Sequence, residues 1–343
     1  MKSFKEIFTN TGPKPLFKKK TQMQKRILGK NYKYIIKENY KNKNKVFYVI
    51  RRSPGSGMFS NVNYVINHLK VCDQYNFIPI IDMENFTTIY NEREKINNTY
   101  NAWEYYFEKL NKYTLNEVYK SQNVILTSQF YQDNMETDIY KKDYFKYLKK
   151  IKIKKKFYKK ANNFFKKNFS NNDNILGVHF RGSTYKTARG HAYPSTTPEM
   201  IKNISNLIKK YKYNKIFLVT EELNYLKSLK KEFGKKLFFY DTFRMKNIDS
   251  FKIYPRKKHR YKLGEENIIE AILLSKCNGL TYIKSNIATY AKCLSSKKIN
   301  NHEIFLGYNS RNKYISRWKW YLKLYFPLFF GKLKIIDKSK YNI

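Results

Sequence analysis

Short apolar runs alternate with amphipathic segments along the second half of the chain. The runs predict four β-strands, at residues 175–180, 215–220, 237–241 and 280–284. Apolar positions at helical spacing follow each run, and the predicted helices cover residues 197–210, 221–233, 264–276 and 286–294. Thr197 is the expected cap of the first helix, with Pro198 at the first helical position. Repeated β-α units of this length predict a parallel sheet covered by helices.

The first half of the chain opens with the same kind of unit. Residues 45–50 predict a strand, residues 53–61 a glycine-rich loop, residues 62–72 a helix and residues 77–82 a second strand. This order is typical of nucleotide-binding domains. The loop is neither G-x-G-x-x-G nor a P-loop, so it does not favour a dinucleotide or ATP. A tight turn that needs glycine dihedral angles explains it equally well.

At 343 residues the chain is longer than a single hydrophobic core usually supports, which predicts two domains. Residues 1–44 are expected to form a basic leader, and residues 45–169 an N-terminal α/β domain with a lysine-rich helical linker. A second α/β domain should occupy residues 170–300, followed by a basic, aromatic tail at residues 301–343.

The charge of the chain is extreme. Lysine and arginine number 70 against 26 aspartate and glutamate residues, which gives a formal net charge of +44. Such a charge favours nucleic acid, anionic membrane surfaces or anionic substrates as partners. The basic residues are scattered among Asn, Ile, Tyr and Phe, so a compositional bias explains them equally well. A nucleic-acid-binding protein is the rival hypothesis, but the sequence has no RNP-like, KH or zinc-finger motif.

Cysteine usage and hydropathy indicate a cytoplasmic protein. Cys72, Cys277 and Cys293 have no CxxC spacing and are odd in number, which favours reduced thiols. The first 30 residues are basic and lack the apolar core of a signal peptide. The chain also lacks the run of about 18 apolar residues that a membrane span needs.

The strongest candidate for chemistry is Arg181, which directly follows the predicted strand 175–180. Ligands of open α/β sheets bind at the carboxyl ends of strands. A guanidinium there can bridge two phosphate oxygens, or it can form a structural salt bridge instead. His179 should share the strand face of Arg181 and orient it. His191 suits a general base or a phosphate ligand, with loop packing as the alternative.

Other polar residues suggest contact with a nucleotide. Ser285 joins a predicted strand to a helix, where its hydroxyl and the N–H groups from Asn286 onward form an anion site, as any helix start does. Glu221 and Glu222 follow the strand 215–220, where carboxylates can hold ribose hydroxyls or a base edge, or can complement the helix dipole. Lys186 is a further cation near Arg181.

Two segments are rich in aromatic residues. Residues 101–107 (NAWEYYF) fit packing in the core, and stacking on a sugar is the alternative. Residues 317–330 mix aromatic and cationic side chains, which suits a segment lying on an anionic membrane surface. Packing of this tail against the core explains the pattern equally well.

These motifs resemble the fucosyltransferase superfamily that joins the α-1,6-, α-1,2- and protein O-fucosyltransferases. His179 to Gly182 is similar to the family's H-x-R-[RG] signature, whose arginine contacts the β-phosphate of the donor. The acidic pair at residues 221–222 resembles that of the α-1,6 members. The remaining matches are a diphosphate-binding helix start and a Gly-x-Phe-x-Asn loop near the donor sugar, which correspond to Ser285, Asn286 and Thr289 and to Gly57, Phe59 and Asn61.

The chain departs from the family pattern at three places. Gly182 replaces the second arginine of the α-1,6 signature, and residues 183–185 replace an acidic residue that is common there. Arg189 falls near the position of the glutamate proposed as base in the α-1,6 enzymes. His191 is therefore the candidate base by proximity alone.

The resemblance implies a GT-B-like α/β fold, with two Rossmann-like domains facing each other across a cleft. Residues 45–169 would form the acceptor-side domain and residues 170–300 the sugar-nucleotide-binding domain. The implied reaction is inverting transfer of fucose from GDP-fucose to a glycan, either a cell-surface polysaccharide or a lipid-linked oligosaccharide. The donor loop would include Gly182, Ser183 and Lys186.

The absence of a D-x-D motif predicts a metal-independent reaction without a cofactor. Arg181, Lys186 and the amides after Ser285 would then stabilise the leaving diphosphate. A different sugar nucleotide as donor, or a catalytically silent sugar-binding module, are the alternatives. The expected location is the cytoplasm, either free or peripheral on the inner face of the membrane.

Overall fold

The structure of the protein is a computed structural model that describes residues 33–36, 41–127, 142–246, 249–326 and 334–337. The chain divides into two compact units, Met1–Lys154 and Lys155–Ile343. Within the described residues, no helix combines the length and the apolar character that crossing a bilayer requires.

The first unit contains a four-stranded sheet and several helices. Its strands are β1 (Lys33–Ile36), β2 (Lys41–Ile50), β3 (Ile78–Ile81) and β4 (Ser121–Leu126). Its helices are α1 (Met58–Tyr75), α2 (Ala102–Tyr106), α3 (Leu115–Tyr119) and α4 (Lys142–Leu148). The strand order is β1-β4-β2-β3, with β2 parallel to both neighbours and β1 antiparallel to β4. The central position of β2 explains its unbroken apolar run, because residues 47–50 are buried on both faces.

The aromatic segment at residues 101–107 belongs to the core of this unit. The Asn101 side chain accepts the Trp103 backbone N–H and so caps α2. Trp103, Tyr105, Tyr106 and Phe107 are all buried. The packing interpretation of this segment is confirmed, and the alternative of stacking on a sugar is wrong for these rings.

The second unit contains a six-stranded sheet. Its strands are β5 (Ile175–His179), β6 (Lys215–Val219), β7 (Leu237–Phe238), β8 (Gly279–Ile283), β9 (Asn300–Phe305) and β10 (Lys334–Asp337). Its helices are α5 (Lys155–Asn168), α6 (Thr197–Tyr211), α7 (Leu223–Phe233), α8 (His259–Leu274), α9 (Asn286–Leu294) and α10 (Lys313–Tyr325).

The strand order of this sheet is β10-β9-β8-β5-β6-β7, and every neighbouring pair is parallel except β9 and β10. From β5 the chain builds outward through β6 and β7, and then returns to the other side of β5 with β8 and β9. This is the order of a Rossmann-type sheet, and its topological switch point lies between β5 and β8. Ligands of such sheets bind outside the carboxyl ends of the strands at that point.

Local sequence explains several element boundaries, and some of them differ from the prediction. Thr196, not Thr197, caps α6, because its side chain and that of Glu199 form a reciprocal capping box. Helix α8 begins at His259, before the predicted Gly264, and the preceding residue, Lys258, adopts the left-handed conformation. Gly264 is therefore a buried residue inside the helix.

Three segments lie in elements other than those expected. Helix α1 begins at Met58, so residues 58–61 form its first turn and not part of the glycine loop. Helix α5, expected in the linker of the N-terminal domain, falls within the second unit. Strands β9 and β10, which were not predicted and overlap the region expected to form the tail, complete the second sheet.

Candidate functional site

The switch point of the second sheet places Arg181 and Ser285 side by side. Arg181 follows β5 and Ser285 follows β8, and these two strands are paired with His179 opposite Tyr282. The Ser285 hydroxyl oxygen lies 2.9 Å from Nδ1 of His179, so a hydrogen bond ties the two strand ends together. The same oxygen caps α9 by accepting the Ala288 backbone N–H at 3.4 Å.

His179 is a neutral, buried connector at this point. Burial lowers the pKa of His179 to about 3, and the positive charge of Arg181 contributes. The imidazole is therefore unprotonated at neutral pH. Because the Ser285 hydroxyl already accepts a hydrogen bond, it can donate its own proton to Nδ1, which leaves Nε2 of His179 as the N–H. His179 thus holds the Ser285 cap and carries no charge itself.

Arg181 holds its charged guanidinium against the face of an aromatic ring. Its guanidinium carbon lies 4.0 Å from the centre of the Tyr185 ring, a cation–π arrangement. The Tyr185 hydroxyl donates to the Lys284 carbonyl at 3.2 Å, which fixes the ring against the end of β8. Among the described residues no ion pair engages Arg181, so its charge is available for an anion. The described residues therefore do not show the structural salt bridge of Arg181 that was the alternative to phosphate binding.

The first turn of α9 supplies neutral donors beside this charge. Because Ser285 satisfies the Ala288 N–H, the backbone N–H groups of Asn286 and Ile287 are the donors left for an external anion. The side chains of Asn286 and Thr289 lie half-buried on the same turn. The predicted helix start at Asn286 and its serine cap are confirmed.

Lys186 and Glu222 form an ion pair with each other. From the sequence, Lys186 was expected to contact a diphosphate, and Glu222 to contact ribose hydroxyls or a base edge. The Lys186 ammonium donates to both carboxylate oxygens of Glu222, at 2.5 and 2.7 Å. Glu222 is buried and the Lys186 side chain is mostly buried. The ammonium also lies 4.8 Å from the centre of the Tyr225 ring. This ion pair therefore ties the loop between β5 and α6, which carries Lys186, to the residue pair that follows β6.

Gly182 makes room for this ion pair. A Cβ atom at residue 182 would lie 2.6 Å from Cδ of Glu222 and 2.9 Å from Cε2 of Tyr225. No residue with a side chain fits at this position unless Glu222 moves. The departure of Gly182 from the Arg-Arg signature thus has a local steric cause. Ser183 follows as the first residue of a 3₁₀ turn, Ser183–Thr187.

Glu221 remains accessible to solvent next to this pair. Its carboxylate accepts the Gly182 backbone N–H, and the surrounding protein raises its pKa against the opposing effect of Arg181. The Glu221 carbonyl accepts the Met245 backbone N–H at 3.1 Å, which fixes the position of Glu221. Of the two predicted acidic ligands, Glu221 is exposed and Glu222 is buried in the ion pair, and contact of Glu221 with a sugar hydroxyl or a base edge stays a prediction.

His191 is exposed and lies near Arg181 across the Tyr185 ring. The centres of the His191 and Tyr185 rings are 5.2 Å apart in an edge-on arrangement. Desolvation by the nearby protein and the charge of Arg181 lower the pKa of His191. Its carbonyl accepts the Asn309 backbone N–H at 2.8 Å, which anchors the loop. At neutral pH the imidazole is unprotonated and can accept a proton.

The glycine loop of the first unit is held together by residues that were expected to bind ligand. The Asn61 side chain accepts the Ser56 N–H at 2.9 Å and donates to the Ser56 carbonyl at 3.2 Å. Asn61 and Phe59 are both buried, whereas Gly57 is exposed. Both ends of the Asn61 amide are thus used to fix the loop, so the described hydrogen bonds of Asn61 are structural.

Two buried arginines were not among the candidate site residues predicted from the sequence. Arg51 and Arg52 directly follow β2 in the first unit, and Arg52 is the second residue after its strand, as Arg181 is after β5. Nε of Arg51 donates to the Thr127 carbonyl at 2.6 Å, and Arg52 lies 4.7 Å from the centre of the Tyr64 ring. Burial lowers the pKa of both. The rule that selected Arg181, an arginine at the end of a buried parallel strand, also selects them.

The described residues contain no group of three His, Cys, Asp or Glu side chains placed to hold a metal ion. The three cysteines are free, with Cys72 and Cys277 buried and Cys293 partly buried.

Comparison with solved structures identifies the architecture. The α-1,6-fucosyltransferase NodZ co-crystallised with GDP matches with a TM-score of 0.51 and 14% identity, over 85% of this chain and 99% of that chain. NodZ soaked with GDP-fucose matches with a TM-score of 0.50 and 15% identity, over the same shares. This chain has the NodZ fold. A selenomethionine structure of NodZ from Bradyrhizobium gives a TM-score of 0.49 at 15% identity, again over 85% and 99%.

The NodZ fold confirms the α/β class and, at the level of the fold, the resemblance to fucosyltransferases that the motifs indicated. No protein-family profile and no curated protein sequence matches the chain. The arrangement of two domains across a cleft stays a prediction, as do the domain boundaries and the roles of the site residues.

Proposed function

We propose that this protein is a glycosyltransferase that transfers fucose from GDP-fucose to a glycan. The observation that carries the proposal is the Arg181 guanidinium, which has no ion pair among the described residues and lies at the switch point of a NodZ-like sheet. The serine-capped start of α9 adds neutral N–H donors at the same place. A diphosphate is the ligand that such a combination of fixed charge and backbone donors recognises.

In the proposed mechanism the acceptor hydroxyl attacks the anomeric carbon from the face opposite the diphosphate, and the configuration inverts. The glycosidic bond to the diphosphate breaks through an oxocarbenium-like state, and GDP leaves with the bonding electrons. Arg181 and the N–H groups at the start of α9 stabilise the charge that develops on the leaving diphosphate. His191 accepts the proton of the acceptor hydroxyl, since its pKa is lowered and it is unprotonated at neutral pH.

The donor is tested by protection of the protein against heat. With GDP-fucose at about 100 times its Kd, binding to the folded state should stabilise the protein by ~2.7 kcal/mol and raise the Tm. GDP-mannose, UDP-glucose and an oligonucleotide are compared at ~0.15 M salt, where contacts to phosphates alone are weakened. Stronger protection by another sugar nucleotide would identify that nucleotide as the donor instead of GDP-fucose. Protection by the oligonucleotide alone would support the nucleic-acid-binding hypothesis.

His191→Ala is expected to lower kcat by about 10²-fold or more, because the acceptor proton loses its base. Since the pKa of His191 is lowered, kcat/KM of the wild type should fall on acidification only below histidine's ordinary value of about 6.5. The acid limb of the pH profile, measured with the wild type and His191→Ala, checks both points. His191→Gln is the matched control for size and polarity. A near-normal rate in both variants would make His191 a packing residue.

A further inference from the structure

Helix α10 exposes an apolar face on the surface of the second unit. The exposed residues are spaced three and four positions apart, so they form one continuous stripe. The side chains of this stripe and their exposed fractions are Tyr314 (74%), Ile315 (55%), Trp318 (67%), Tyr321 (45%), Leu322 (45%) and Tyr325 (78%). Elsewhere in the described chain, large exposed hydrophobic residues such as Tyr254 occur singly or in small numbers. A stripe of this kind on a soluble surface indicates an interaction site.

Basic residues flank the apolar stripe. Lys313 and Arg317 lie along one edge at helical spacing, and Lys319 lies along the other. No acidic residue occurs between residues 304 and 336 of the sequence, so nothing on this helix opposes the positive charge. An apolar stripe with Trp and Leu, bordered by Lys and Arg, is the pattern of a helix that lies in the interface of an anionic bilayer.

The opposite face of α10 is fixed to the loop that carries the candidate site. The Tyr193 hydroxyl donates to the Lys319 carbonyl at 2.6 Å, and the buried Lys323 ammonium donates to the Pro194 carbonyl at 3.1 Å. The Lys186 ammonium lies 5.7 Å from the centre of the Trp320 ring. The helix is thus a rigid part of this unit, with its inner side against residues 186–196 and its apolar stripe facing solvent.

We propose that the apolar stripe of α10 docks the protein onto an anionic lipid bilayer. Insertion of Trp318 and Leu322 into the interface would hold the loop around Lys186 and His191 about one helix diameter, ~10 Å, from the membrane surface. On the basis of the proposed transferase function, the acceptor would then be a glycan linked to a lipid. The docking itself does not depend on that function, because it involves no residue of the candidate site.

Flotation measures the binding of the whole chain to phosphatidylcholine vesicles that contain or lack phosphatidylglycerol, and so tests the proposed docking. The wild type should float with the anionic vesicles, and Ile315→Ser/Trp318→Ser/Leu322→Ser should lower the bound fraction by more than about tenfold. Tyr254→Ser, which alters an exposed aromatic residue outside α10, is the matched control and should float like the wild type. Lys313→Gln/Arg317→Gln should reduce the preference for phosphatidylglycerol.

Circular dichroism of the triple variant checks that the fold is kept, since all three side chains are exposed. Equal flotation of the triple variant and the wild type would overturn the proposal. A wild type that sediments as a dimer, with a triple variant that is a monomer, would instead assign the stripe to contact between two copies. Flotation is measured without a sugar nucleotide, so a failure of the transferase proposal leaves this result unaffected.

Discussion

Arg181→Ala is expected to abolish transfer from the sugar nucleotide, with a loss of about 10³-fold or more in kcat/KM, or ~4 kcal/mol of transition-state stabilisation. The diphosphate gains charge as the glycosidic bond breaks, and Arg181 is the cation at the switch point that no ion pair neutralises among the described residues. The fold should be kept, because the guanidinium is half-buried and its contact among the described residues is with the face of the Tyr185 ring. Steady-state kinetics and the thermal unfolding curve measure the two effects separately.

Two further variants sharpen this test. Arg181→Lys keeps one positive charge but loses the planar pair of donors, so it should recover only part of the rate. Arg189→Ala removes a charge from an exposed position of the same loop and should leave the rate within about threefold of the wild type. If Arg181→Ala retained more than about a tenth of the activity, the arginine would contribute less than ~1.4 kcal/mol and the proposed diphosphate site would be wrong.

Strand and helix patterns predicted most of the second sheet, because its parallel strands are short, apolar and buried on both faces. The bounds of α9 were predicted correctly, since a serine cap marks its start. The order of the strands was not predicted, because pairing between distant segments leaves no periodic signal in one sequence. That order brings the end of β5, which Arg181 follows, beside the end of β8, which Ser285 follows.

Local motifs also failed to show which side chains face outward. Asn61 matched a ligand-binding motif, but its amide is turned inward onto the Ser56 backbone. Lys186 and Glu222 each suited a ligand, but they neutralise each other across 36 positions of sequence. One trace of this pair in the sequence is Gly182, where the α-1,6 signature has a second arginine and where a side chain would collide with Glu222.

The buried ion pair should matter for stability more than for binding. Lys186→Met is expected to lower the free energy of unfolding by about 3–5 kcal/mol, because it leaves the Glu222 carboxylate buried without a partner. Glu222→Gln should cost less, since a flexible lysine side chain can turn its ammonium toward solvent. The double variant Lys186→Met/Glu222→Leu should recover part of the loss, because no buried charge then remains. Lys146→Met, which removes an exposed partner of Asp73, is the control and should change stability by less than about 1 kcal/mol.

The same variants decide what Lys186 does in the site. Because both oxygens of Glu222 hold the Lys186 ammonium, its charge is already neutralised before any nucleotide arrives. Folded Lys186→Met should therefore bind GDP within about tenfold of the wild-type affinity, a difference of no more than ~1.4 kcal/mol. Calorimetric titration with GDP, at a temperature where the variant is folded, measures this. A larger loss of affinity, without a loss in Glu222→Gln, would mean that Lys186 leaves Glu222 and binds the diphosphate, as the sequence analysis first suggested.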